Sequence, residues 1–235
     1  MTSSLAVVVA AAVVGALGGL LVPRLVAALP EPARDSADGD GKTTYVDLAA
    51  RPGLSLASAG AAALACGLAA VAVGWSPALP MWVYLGVVGV ALGYVDWCTR
   101  LLPTRLIAPS YAVVGVCAVL ASALTGDWSA LLGALFGWVL AGGLYFLLWF
   151  VYPRGMGYGD VRLSGVLGIA LGWLGMAELV LGIYAGFLLG AVVGGGLALA
   201  KVVDRRRYAF GPFMLAGALV GALWGETAAR WYGGG

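Results

Sequence analysis

The 235-residue chain contains no histidine. That absence excludes Ser-His-Asp and Cys-His catalysis, the His-Glu-x-x-His zinc site and histidine ligation of haem. Cysteine is scarce: Cys66, Cys98 and Cys117 have neither metal-ligand spacing nor a disulfide framework. Cys66 and Cys117 sit inside apolar runs, where a small soft side chain packs well. Cys98 lies near Asp96, and we read it as a bystander. Charge is scarce too. Only 10% of residues are charged, against roughly 25% in a soluble domain.

What is present is apolar: 62% of the chain is hydrophobic, in continuous runs. A membrane barrel would instead alternate apolar and polar residues in short segments. The expected fold is therefore an all-α membrane protein, a polytopic bundle of about eight transmembrane helices forming one integral domain over 1–235. A spanning helix needs about 20 apolar residues. That ruler places helices at 5–29, 54–74, 79–95, 106–125, 129–151, 161–176, 179–201 and 211–229. A cleaved signal peptide is the rival reading of the first segment. It has no basic residue ahead of its apolar run, so a retained helix is expected. Pairs such as Gly133/Gly137, Gly168/Gly172, Gly182/Gly186 and Gly217/Gly221 let helices pack closely and imply nothing about dimerisation.

Lysine and arginine set the orientation. With the N-terminus outside, twelve of the 13 basic residues fall at the cytoplasmic side, among them Arg51, Arg100, Arg105, Arg154, Arg162 and Lys201, and only Arg230 falls outside. Arg205, Arg206 and Arg207 read as part of that asymmetry, with anionic lipid as an alternative partner. Asp127 and Glu178 fall at outer turns, as solvated groups. The one long hydrophilic stretch, 30–53, holds five acidic residues (Glu31, Asp35, Asp38, Asp40, Asp47) and reads as a mobile cytoplasmic loop.

Two further carboxylates stand apart from that loop. Asp96 ends one apolar run and Asp160 opens another. An ionisable group at the edge of hydrocarbon costs free energy and points to function. The topology brings both to the cytoplasmic edge. Each has a bland alternative: Asp160 as a helix cap after the flexible Gly155-Met156-Gly157-Tyr158-Gly159 turn, Asp96 as a solvated helix end. Pro103 then simply begins the next helix. As a pair, they form an acid–base couple. Two neighbouring carboxylates share one proton, so one activates water while the other protonates a peptide.

The Gly157-x-Gly159-Asp160 element resembles the signature of the GxGD intramembrane aspartic proteases. Three blocks are similar to the type IV prepilin peptidase family: Asp96 followed by Pro103; Gly155 through Leu163, continuing to Gly172-Trp173; and Ala209-Phe210-Gly211-Pro212-Phe213. The resemblance covers roughly residues 80–220 and implies a peptidase core there. It implies catalytic Asp96 and Asp160, with Gly157 and Gly159 shaping the site. Pro103, Thr104, Arg162, Gly211 and Pro212 would support it. The implied substrates are prepilins and pseudopilins, cut at the boundary between a basic cytoplasmic leader and an apolar helix, in the bacterial inner membrane. No metal, cofactor or nucleic-acid partner is expected. Three departures stand out: Thr104 replaces the family's usual Asn, Arg162 its usual Lys, and loop 30–53 lacks the Cys-x-x-Cys pairs associated with N-methylation. That second activity is therefore unsupported. The alternatives from other classes are an ion-coupled transporter or channel using Asp96 and Asp160 as proton or cation ligands, and a non-enzymatic assembly component.

Overall fold

A computed structural model of the chain describes residues 5–31, 44–153, 155–196 and 209–232. Several residues of the charge argument, including Arg154, Lys201 and Arg205 to Arg207, lie outside them, as do Asp35, Asp38 and Asp40 of the hydrophilic loop. Among the described residues the fold is all helix, with no strand. The helices are α1 (Leu5–Gly19), α2 (Val22–Ala27), α3 (Tyr45–Ala49), α4 (Leu54–Val73), α5 (Leu79–Thr99), α6 (Thr104–Thr125), α7 (Trp128–Val151), α8 (Tyr158–Leu174), α9 (Met176–Leu189) and α10 (Gly211–Tyr232). A π-helical turn, Gly190–Gly194, prolongs α9.

Among the described residues, six stretches are long and apolar enough to cross a membrane: Leu5–Ala27, α4, α5, α6, α7 and Met176–Val193. Helix α8, of 17 residues, and the more polar α10, which carries Glu226 and Arg230, fall short of that measure. The chain is a multi-pass helical membrane protein with six to eight spans, against the eight expected.

Several boundaries differ from the sequence expectation for identifiable reasons. Pro23 stands at the start of α2 and interrupts the first apolar run, so 5–29 is two helices, not one. The third helix runs on to Thr99, which puts Asp96 inside it rather than at its end. It stops where Arg100 turns left-handed at φ +60° and its N–H donates to the Asp96 carbonyl over 2.7 Å. Arg100 is the single non-glycine residue with positive φ among those described. Pro103 caps α6 instead of beginning it.

Part of the stretch expected to be loop is helical. The Thr44 hydroxyl accepts from the Asp47 N–H, and Asp47 reaches back to the Thr44 N–H, closing a capping box on α3. Glu31 Oε1 accepts from the Tyr45 N–H over 2.8 Å. Tyr45 and Leu48 of α3 then pack with Val22 and Val26 of α2 against Ala91 and Val95 of α5. A small α2–α3 unit thus covers the Asp96 end of α5. The Tyr94 hydroxyl fastens it by donating to the Leu48 carbonyl over 2.9 Å.

The glycine pairs close the bundle. A Cβ on Gly137 would stand 2.2 Å from the Gly168 carbonyl oxygen, and one on Gly133 2.4 Å from that of Gly172, so α7 and α8 touch backbone to backbone. Gly217 and Gly221 of α10 press on Gly182, Gly186 and Glu178 of α9 in the same way. Glu178 is accordingly half-buried against Gly225, a correction to the solvated group expected. Asp127 is exposed and caps α7 by accepting from the Ala130 N–H. Cys66 fills the seam between α1, α4 and α5, beside Gly15 and Gly86.

Candidate active site

Asp96 and Asp160 are 4% and 7% exposed and are the only buried charged side chains among the described residues. Both lie within Coulombic reach of one another. Helix α5 delivers Asp96 one turn before its end, on the face that carries buried Leu92 and Val95. The start of α10 meets it there: the Gly211 N–H donates to Asp96 Oδ2 over 2.8 Å.

Asp160 occupies the third position of α8, not the cap. Its Oδ2 accepts from the Gly157 N–H over 3.1 Å, half of a capping box in which glycine has no side chain to return the bond. The carboxylate is therefore turned back over its own helix start, where free amides and the helix dipole favour negative charge. Each aspartate thus accepts one backbone N–H on Oδ2. No described residue bonds either Oδ1.

Leu102 joins the two segments. It lies in the link between α5 and α6 and is buried. A Cβ on Gly159 would stand 2.7 Å from Leu102 Cβ, and one on Gly211 3.3 Å from Leu102 Cδ2. Gly159 therefore admits Leu102 beside Asp160, while Gly211 admits it beside Asp96. A Cβ on Gly211 would also meet Asp96 Oδ2 at 2.8 Å. Gly157 is exposed, and its role is the amide it gives to Asp160.

Thr104 and Arg162, two of the three departures noted in the sequence, meet each other. Arg162 Nη1 donates to Thr104 Oγ1. The guanidinium carbon lies 5.3 Å from the centre of the Tyr158 ring, and the Tyr111 hydroxyl donates to the Arg162 carbonyl over 2.7 Å. Arg162 Nε is buried without a hydrogen-bond partner among the described residues. Pro103 turns the chain into α6 just before Thr104, and Pro212 follows Gly211 into α10.

Sequence reasoning missed two neighbours. Tyr145 of α7 is buried within electrostatic range of Asp160 and stacks on Phe187, with ring centres 5.1 Å apart. A lone tyrosine in the apolar run of α7 was the available signal. Leu102 gave none, because one leucine among apolar neighbours looks like any other. Among the described residues no three metal-ligating side chains cluster.

The type IV leader peptidase family matches residues 82–199, half of the chain and both aspartates. Proteins named prepilin leader peptidase/N-methyltransferase are similar as well. That of Aeromonas hydrophila is 32% identical over 145 residues, 61% of this chain and 49% of that protein. That of Pseudomonas aeruginosa is 31% identical over 145 residues, again 61% and 49%. That of Stutzerimonas stutzeri is 30% identical over 183 residues, 72% of this chain and 59% of that protein. The chain spans about half the length of the curated relatives it matches. No solved structure matches it at comparable strength. By the extent of the family match and the agreement of these relatives, the chain belongs to the type IV leader peptidase family.

Proposed function

We propose that the chain is a membrane aspartic endopeptidase. It removes the basic leader peptide from type IV prepilin-like precursors at the cytoplasmic face of the bacterial inner membrane. Residues 80–220 form the peptidase core. The observation that carries this reading is the burial of Asp96 and Asp160 at one end of the bundle, packed around a shared leucine. Family membership and the names of the relatives supply the substrate class.

In the proposed mechanism a water sits between the two free Oδ1 atoms. One aspartate, ionised, takes a proton as the water oxygen attacks the peptide carbonyl carbon. The other, protonated, gives its proton to the carbonyl oxygen. Collapse of the tetrahedral intermediate breaks the C–N bond: the second aspartate takes back the hydroxyl proton, and the amine leaves with a proton from the first. The Gly157 and Gly211 amides hold the carboxylates in place through both halves of the reaction. Burial at a membrane edge keeps bulk water from the site, while the apolar helix of the precursor stays within the membrane and its leader in the cytoplasm. We restrict the proposal to proteolysis, because loop 30–53 contains no cysteine for the elements associated with methyl transfer.

The test is cleavage of a prepilin-type precursor by Asp96→Asn and Asp160→Asn in membranes. Each variant is expected to fall by at least about 100-fold, the usual scale for losing a general acid or base. Near wild-type processing by either variant would overturn the dyad.

A further inference from the structure

A groove of about 470 Å³ runs along the bundle between α4, α5 and α10, floored by Leu167 of α8. We infer that it receives the apolar helix of the precursor before cleavage, an assignment that rests on the proteolytic reading above. The α5 wall extends from Trp82 to Trp97, about 22 Å at 1.5 Å per residue. That is about four turns of a second helix and most of the roughly 30 Å hydrocarbon thickness.

The groove runs to the Asp96 end of α5. Its Asp96 end is lined by Gly93, Tyr94 and Trp97 of α5 and by Pro212, the residue after the Gly211 that holds Asp96. A helix lying in it therefore brings its end to the site. The walls suit a helix better than a lipid tail. Ala57, Ala61 and Ala65 recur every fourth residue on α4, and Gly89 and Gly93 line the groove from α5; such rows let a helix backbone come close. Trp82 lines the far end, is 2% exposed, and its indole N–H has no hydrogen-bond partner among the described residues.

One side chain stands over the glycines. Leu215 Cδ2 lies 3.0 Å from where a Cβ on Gly89 would be, and Leu215 Cδ1 lies 3.6 Å from that of Gly93. The end of a flexible leucine, and no backbone, occupies the space an incoming helix would use. Ala57 and Ala61 are exposed, so the groove opens sideways.

The test places a photoreactive amino acid along the apolar helix of a prepilin-type precursor, with the full chain in phospholipid vesicles and carrying Asp160→Asn. Adducts are expected on the α4 and α5 peptides that contain Ala57, Ala61 and Gly93. In the otherwise wild-type chain, Ala61→Phe should raise KM about tenfold with kcat nearly unchanged, the mark of lost ground-state binding. Leu56→Phe, on the same helix at a 75% exposed position away from the groove, should behave as wild type. Adducts confined to other helices, or a wild-type KM for folded Ala61→Phe, overturn the groove and leave proteolysis standing. Trapping of a photoreactive phospholipid there, undiminished by saturating precursor, also overturns it in favour of a lipid occupant. Groove adducts without any cleavage by the wild-type chain would sink the proteolytic reading and keep the docking site.

Discussion

The Gly211 N–H donates to Asp96 Oδ2 over 2.8 Å across 115 positions of sequence. That bond ties the first residue of the last helix to the carboxylate of the fifth. It depends on the absence of a side chain at 211, since a Cβ there would stand 2.8 Å from the same oxygen. Gly211→Ala keeps the amide and pushes the carboxylate. A misplacement of this kind is expected to lower kcat by about 10- to 100-fold, with helix content by circular dichroism retained. Unchanged kcat would show that Gly211 does not set the position of Asp96.

Thr104 and Arg162 form a matched pair, so they should respond together. Thr104→Val removes the acceptor of the Arg162 guanidinium. At this exposed position the loss is about 1 kcal/mol, roughly fivefold in kcat/KM. Thr104→Asn supplies an amide oxygen in its place and should stay near wild type. Equal losses in both variants would count against the hydrogen bond as the cause.

The α7–α8 contact carries Asp160 as well as stability. Gly137→Ala would drive a methyl to 2.2 Å from the Gly168 carbonyl oxygen, a backbone atom that cannot turn aside. Overpacking of this kind costs about 1–3 kcal/mol. Gly143→Ala on the same helix meets nothing within 4 Å and should stabilise by about 0.5–1 kcal/mol through helix propensity. Thermal unfolding in detergent checks both signs.

The α2–α3 unit should loosen in acid. The Thr44 hydroxyl, then the Thr44 N–H, hold the Asp47 carboxyl below its usual range. A carboxyl lowered in the folded state contributes above its unfolded pKa, near about 4, and loses that contribution as pH falls through the folded value. Amide exchange over 45–49, corrected for intrinsic rate, should therefore rise below about pH 4. In Asp47→Ala it should already be raised at neutral pH. A flat wild-type profile would rule out the capping box as the fastener.

Most of the helical architecture was legible because lipid leaves few alternatives. Long apolar runs read directly as helices, and scarce carboxylates outside the loop drew attention to Asp96 and Asp160. The glycine pairs read correctly as packing surfaces. Boundaries were less legible where one residue outweighs the average of its neighbours: Pro23 splits an apolar run, and Thr44 with Asp47 starts a helix inside a polar one. Gly211 was visible as part of a motif, but its amide bond to Asp96 depends on two helices meeting. Leu102 was invisible, because its role comes from what lies on either side of it.

Leu102 has a consequence for how the molecule can vary. Its one side chain sits between the glycine next to Asp160 and the glycine that serves Asp96. It belongs to the four-residue link between α5 and α6, not to either helix that it separates. The spacing of the two halves is thus gauged by a short, stiff shim, while the outward positions of the helices around it need only remain apolar. Lipid-facing surfaces can drift from one descendant to the next as long as this shim keeps its thickness.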